Sequence, residues 1–156
     1  MKPEELMQLA IESARSGIAA GQSPFGCAIA RGDDVLAIAH NTLAAATDIT
    51  AHDEINALRA ACPAAGNIHL EGATVATTCE PCPMCMAALH WARVERVYFG
   101  ASIDDAARAG FNELTLPAMD LLKQGDSDVQ LVGYVLQEEC VKLFDQWLKN
   151  PQRVCY

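Results

Sequence analysis

Four side chains have the types and spacing of a reactive metal centre. His52 and Glu54 stand two residues apart at the start of a predicted helix, and Cys82 and Cys85 follow in Pro81-Cys82-Pro83-Met84-Cys85. Zinc takes nitrogen and sulfur ligands in a roughly tetrahedral arrangement, and a catalytic zinc keeps one position open. His52, Cys82 and Cys85 supply three ligands and leave the fourth place for a water, whose pKa the metal lowers toward ~7. The Cys pair also falls in a first helical turn, where free N–H groups and the helix dipole favour thiolates. Glu54 is close enough in sequence to take a proton from that water and pass it on, since a carboxylate works alternately as base and acid.

Blander readings of the same residues exist. A structural zinc site takes four protein ligands, and Cys79, three residues before Cys82, is the available fourth. A thioredoxin-like redox pair would account for the cysteines but not for His52 and Glu54. His40 in a strand, His69 in a loop and His90 late in a helix read as structural or surface residues. Cys27, Cys62 and Cys140 lie apart in apolar stretches and read as core.

The elements that must position these residues follow from periodicity. Leu6, Met7, Ala10, Ile11, Ala14 and Ile18 recur at helical spacing, closed by Gly17 and Gly21. Gly26–Ala30 and Val35–His40 flank Gly32-Asp33-Asp34 as a hairpin. Thr50-Ala51-His52-Asp53 has the form of a capping box, with Thr50 as N-cap and a helix running to about Ala61. Ala73–Thr78 is a buried strand, and Pro81 and Pro83 open a helix through Trp91. Strands are expected over Val94–Ala101 and Val129–Leu136, and helices over Pro117–Lys123 and Glu138–Lys149. Helices alternating with the later strands predict one α/β domain over residues 1–156. Its expected architecture is a three-layer α/β/α sandwich around a mixed five-stranded sheet.

Composition narrows the partner. The chain has 156 residues, 51% of them apolar and 20% charged, which is globular and enough for one substantial core. Eleven Lys and Arg stand against twenty Asp and Glu, a net charge of −9, with no basic cluster. Nucleic-acid affinity rests largely on a basic surface, so this balance argues for a small-molecule substrate. Seven cysteines, no apolar run near the ~20 residues of a membrane span and no export signal predict a cytoplasmic protein with reduced thiols.

A His and Glu pair followed by Pro-Cys-x-x-Cys is the zinc deaminase signature. From Ser23-Pro24-Phe25-Gly26 to its last residue the chain resembles the cytidine deaminase superfamily, and within it the bacterial guanine deaminases. The finer likeness lies in Cys79-Glu80-Pro81-Cys82-Pro83-Met84-Cys85, His90-Trp91-Ala92-Arg93, the stretch Asp105-Ala106-Ala107 with Gly110-Phe111 beyond it, and the terminal Tyr156. The resemblance implies one zinc per subunit, Glu54 as proton shuttle, and hydrolysis of guanine to xanthine and ammonia. It further implies that Asn41 and Phe25 line the base pocket with Trp91 nearby, and that Asp105 and Tyr156 face the substrate. It also implies a homodimer that exchanges C-terminal segments.

One position departs from the pattern. The residue between the His and the Glu is usually small in this family, commonly Ala, and here it is Asp53. Two explanations stand at this point, a capping role and an extra charge that alters substrate choice. Related branches act on guanosine, cytosine or other amino-substituted rings, and the tRNA adenosine deaminases share the zinc motifs. A zinc-stabilised binding module is the reading outside enzymes.

Overall fold

Gly32, in a left-handed conformation at φ 62°, turns the chain between β1 (Gly26–Arg31) and β2 (Asp34–His40), which pair antiparallel. Ahead of them lies α1 (Pro3–Ala19), whose Leu6, Met7, Ala10, Ile11 and Ala14 are all buried. The computed structural model describes residues 1–156. After β2 come α2 (Leu43–Ala46), α3 (Asp53–Ala65), β3 (Ala73–Cys79), α4 (Pro83–Trp91) and β4 (Arg96–Ala101). The chain finishes with α5 (Ile103–Arg108), α6 (Ala118–Gln124), β5 (Gln130–Val132) and α7 (Gln137–Leu148).

The strands form one mixed five-stranded sheet in the order β2-β1-β3-β4-β5. β1 is antiparallel to both β2 and β3, while β3, β4 and β5 run parallel. Strand alternation sends Ala28, Ala30, Ala76 and Tyr98 toward α1 and α7, and Cys27, Ile29, Val75 and Val97 toward α3, α4 and α6. Two apolar layers result, one on each face, which is the expected three-layer sandwich. The layer under α1 is very tight. A Cβ on Gly26 would lie 2.2 Å from the carbonyl oxygen of Ala10, so only glycine lets the helix approach β1 this closely.

This topology gathers the site. Both β2 and β3 oppose β1, so they run the same way, and their C-terminal ends meet the start of β1 at one edge of the sheet. Phe25 before β1, Asn41 after β2 and Cys79 at the end of β3 therefore come together. Loops at the C-terminal ends of parallel strands are where open α/β sheets place ligands.

Several expected boundaries change. Thr50 is not the N-cap of α3; its hydroxyl donates to Asp48 Oδ1 at 2.7 Å, and the cap position falls to His52. α3 also continues past Pro63 to Ala65, because Gly66 at φ 63° closes it with Gly66 N–H on the Pro63 carbonyl and Asn67 N–H on that of Cys62. β5 is only three residues long, since Tyr134 and Leu136 take left-handed φ values of 66° and 50° that break an extended run. The short helices α2 and α5 carry too little periodicity to be read from sequence. Cys27 and Cys140 are core residues as expected, and Cys62 is half-buried.

Candidate active site

The loop after β2 leads into α3, and the turn after β3 leads into α4, so both helices begin at the same edge of the sheet. His52 is the N-cap of α3 and Cys82 the N-cap of α4, with Cys85 in the first turn. His52 Nδ1 lies 3.7 Å from Cys82 Sγ and 3.5 Å from Cys85 Sγ. Zn–S bonds of about 2.3 Å and Zn–N bonds of about 2.0–2.1 Å at a tetrahedral angle require an N···S edge of about 3.6 Å. The three donors thus already hold the spacing of a zinc ion, and all three lie within 4.8 Å of one another. Cys79 does not join them: its thiol points to the carbonyl oxygen of Ser102 at 3.6 Å. A closed site of three cysteines and one histidine is therefore not formed.

The local field suits a cation. Hydrogen bonding from the Cys85 thiol, opposed by burial and aided by His52 and the backbone N–H of Cys85, brings Cys82 down to about 4. Burial and the Cys82 charge push Glu54 up to about 7. Zinc on these donors would supply a Lewis-acid position that activates a water for attack on a ring carbon. Glu54 is 4% exposed and lies beside the Cys85 side chain.

A cavity opens from this centre. Its inner part, about 30 Å³, is lined by Phe25, His52, Glu54, Cys82, Glu113 and Tyr156, among others. It continues into an outer cleft of about 310 Å³ walled by Ile49, Met84, Leu114 and Tyr156. Tyr156 roofs both parts, its ring centroid 5.7 Å from that of His52 and 5.3 Å from that of Phe111. The Asn112 N–H donates to the Tyr156 carbonyl at 2.9 Å, anchoring the tail on its own chain. Asn41 is fixed underneath: its Oδ1 accepts from the Leu43 N–H at 3.1 Å, and its Nδ2 donates to the Tyr156 hydroxyl at 2.8 Å.

Of the expected pocket residues, Phe25 and Tyr156 line this cavity, and Asn41 lies behind it, bonded to the Tyr156 hydroxyl. Trp91 and Asp105 do not. Trp91 ends α4 with 77% of its surface exposed, packed only edge-on to His90. Asp105 completes a capping box with Ser102 at the start of α5 and also pairs with Arg108 and Gln137, so its carboxylate is consumed away from the cavity. Glu113 does line the cavity. It lies in the irregular segment between α5 and α6, where nothing in the sequence pattern points inward. Asp53 is not a surface cap either. It is 3% exposed, and its carboxylate accepts from the Thr77 hydroxyl at 3.2 Å.

Comparison with known proteins fits this geometry. The profile of the cytidine and deoxycytidylate deaminase zinc-binding region matches residues 1–101. Guanine deaminase of Bacillus subtilis (strain 168) is 39% identical over 114 residues, 72% of this chain and 73% of its own length. The tRNA-specific adenosine deaminase of the same organism is 37% identical over 156 residues, 98% of this chain and 93% of its own. The solved guanine deaminase of Nitrosomonas europaea superposes with a TM-score of 0.86 at 25% identity, covering 94% of this chain and 84% of that one. The profile match takes in most of the chain and every residue of the three-donor centre, and so the chain belongs to the cytidine deaminase superfamily and is a zinc-binding deaminase.

Proposed function

We propose that the chain deaminates guanine, as a free base, to xanthine and ammonia. The observation that carries this reading is the convergence of Glu113, Phe25 and Tyr156 on the cavity beside Glu54, with Asn41 bonded to the Tyr156 hydroxyl behind it. Guanine presents a ring N–H and a neighbouring amino group, both donors, and a carboxylate such as Glu113 accepts from both. Adenine has no ring N–H at that edge. The Phe25 ring offers an apolar wall to a planar substrate, and the Asn41 amide, bonded to the Leu43 N–H and the Tyr156 hydroxyl, holds the Tyr156 ring over the cavity. The exact base, the assignment of these pocket residues and the catalytic role of Glu54 all belong to this reading.

The relative acting on tRNA aligns over nearly the whole chain, which favours a second reading, adenosine deamination in RNA. The cleft argues against it. None of its lining residues is Lys or Arg, the net charge is −9, and Tyr156 covers the entrance that a nucleotide strand would need. Incubation of the zinc-loaded protein with guanine and, separately, with a tRNA anticodon stem-loop carrying adenosine separates the two readings. Ammonia release from guanine alone is expected, and inosine formation in the RNA without turnover of guanine would overturn the proposal.

The same reading includes a cytoplasmic homodimer. Ile49, Met84 and Leu114 at the cleft mouth, and Trp91 at the far end of α4, expose apolar surface that a second subunit would cover. No helix is long and apolar enough to cross a membrane. The tail closes over its own chain's site here, and in an exchanged dimer the same contacts would be made to the neighbouring subunit.

A further inference from the structure

Successive residues of a helix point about 100° apart, so Asp53 and Glu54 have no reason of helical geometry to share a surrounding. Both are nevertheless buried, at 3% and 4% exposure, and one side chain from another element meets both. Thr77, on β3 and 1% exposed, places its Oγ1 at 3.2 Å from Asp53 Oδ2 and 3.4 Å from Glu54 Oε1. The carbonyl oxygen of Cys79 lies 3.2 Å from the same atom. A hydroxyl has one hydrogen, so Thr77 donates to one of these three acceptors at a time, and in the rotamer aimed at Glu54 it ties the start of α3 to the strand that leads into α4. The tie spans the two segments that carry His52 and the two cysteines. Its partner across the sheet, Cys27, is apolar in character, and strand packing alone would be met by valine at position 77.

We propose that Thr77 is a positioning residue for deamination: its hydroxyl donates to Glu54 Oε1 and fixes that carboxylate beside the metal donors. Asp53, where the family pattern has a small residue, meets the same hydroxyl and competes with Glu54 for its one hydrogen. The proposal rests on Glu54 as the proton-moving group. It concerns how that group is held, by a residue on the wall of the same inner cavity.

The test compares Thr77→Val, Thr77→Ser, Asp53→Ala and the Thr77→Val/Asp53→Ala double variant, all zinc-loaded. The substrate is guanine, or whichever amino-substituted ring the unmodified protein turns over. Thr77→Val is expected to lower kcat about 10- to 100-fold, the scale of a misplaced catalytic group, with KM and zinc content unchanged. Thr77→Ser should restore kcat to within about threefold, and the double variant should be no slower than Thr77→Val, because coupled residues are not additive. Crystal structures provide a readout independent of turnover: Glu54 should move by more than about 0.5 Å in the Val variant and not in the Ser variant. If Thr77→Val does not fold, Thr77→Ala takes its place in every measurement. A kcat within twofold of the unmodified protein, a Ser variant as slow as the Val variant, or an unmoved Glu54 would each overturn the proposal. If no ring compound is turned over at all, the deamination reading fails first, and the crystal structures alone judge how Glu54 is held.

Discussion

The amide of Asn41 donates to the phenol of Tyr156 at 2.8 Å, joining a fully buried residue at the end of β2 to the last residue of the chain, 115 positions later. The bond matters because it fixes the roof of the cavity to its floor. Tyr156 is otherwise held by ring contacts with His52 and Phe111 and by one backbone bond to Asn112. Burial holds its phenol well above the usual range, so the hydroxyl stays protonated across physiological pH.

Tyr156→Phe keeps the ring and removes this bond. One lost neutral hydrogen bond is worth about 0.5–1.5 kcal/mol, so KM should rise about 3- to 10-fold while kcat changes less. Steady-state kinetics on guanine check this. An unchanged KM would show that the tail closes the cavity without shaping it.

Glu113→Gln replaces a pure acceptor by a mixed donor and acceptor. Hydrogen bonds to charged groups contribute about 1.5–3 kcal/mol, so kcat/KM for guanine should fall about 10- to 150-fold. Zinc content and thermal stability should stay as they were, since Glu113 is not among the donors. Parallel assays with Asp105→Asn should show little loss of activity, because that carboxylate is used in capping α5.

The open metal position can be tested with two cysteine variants. Cys85→Ser removes one of three donors and should bring zinc content close to zero, with a lower melting temperature. Cys79→Ser should leave one zinc per chain, because its thiol faces the Ser102 carbonyl instead. Elemental analysis of both proteins decides between an open site and a closed structural one.

Asp105 gives a pH dependence of stability. Burial opposes its charge, but the N–H and hydroxyl of Ser102, Gln137 and the Arg108 guanidinium outweigh this and hold the carboxyl below its ordinary value. A folded-state pKa below the unfolded one, about 3.9, means stability that is present above about pH 4 and lost as pH falls through the folded value. Asp105→Ala should therefore cost about 1 kcal/mol near pH 7, the usual worth of a cap. The gap in melting temperature between it and the unmodified protein should narrow as pH falls toward 3. A gap that stays constant would mean that the charge of Asp105 contributes nothing.

The reactive centre was legible because its ligand spacing is local. His52, Glu54, Cys82 and Cys85 announce themselves as short motifs at helix starts, and the strand and helix periods that position them are long and regular. Burial of a polar residue is not local. Asp53 looks like a capping carboxylate until Thr77 arrives from another strand to meet it. Asp105 and Glu113 could be told apart only once α5 had closed its own capping box and left the following segment to line the cavity. Trp91 shows the same limit from the other side. The resemblance implies that Trp91 sits near the base pocket, and the chain turns it outward.

The most direct measurement is ammonia release from guanine by the zinc-loaded protein and by its Glu54→Gln variant, with zinc quantified in both. The account predicts turnover by the unmodified protein, a loss of about a thousandfold or more in the variant, and equal zinc in the two. Turnover that survives the substitution, or a zinc-loaded protein inert toward guanine, would contradict it.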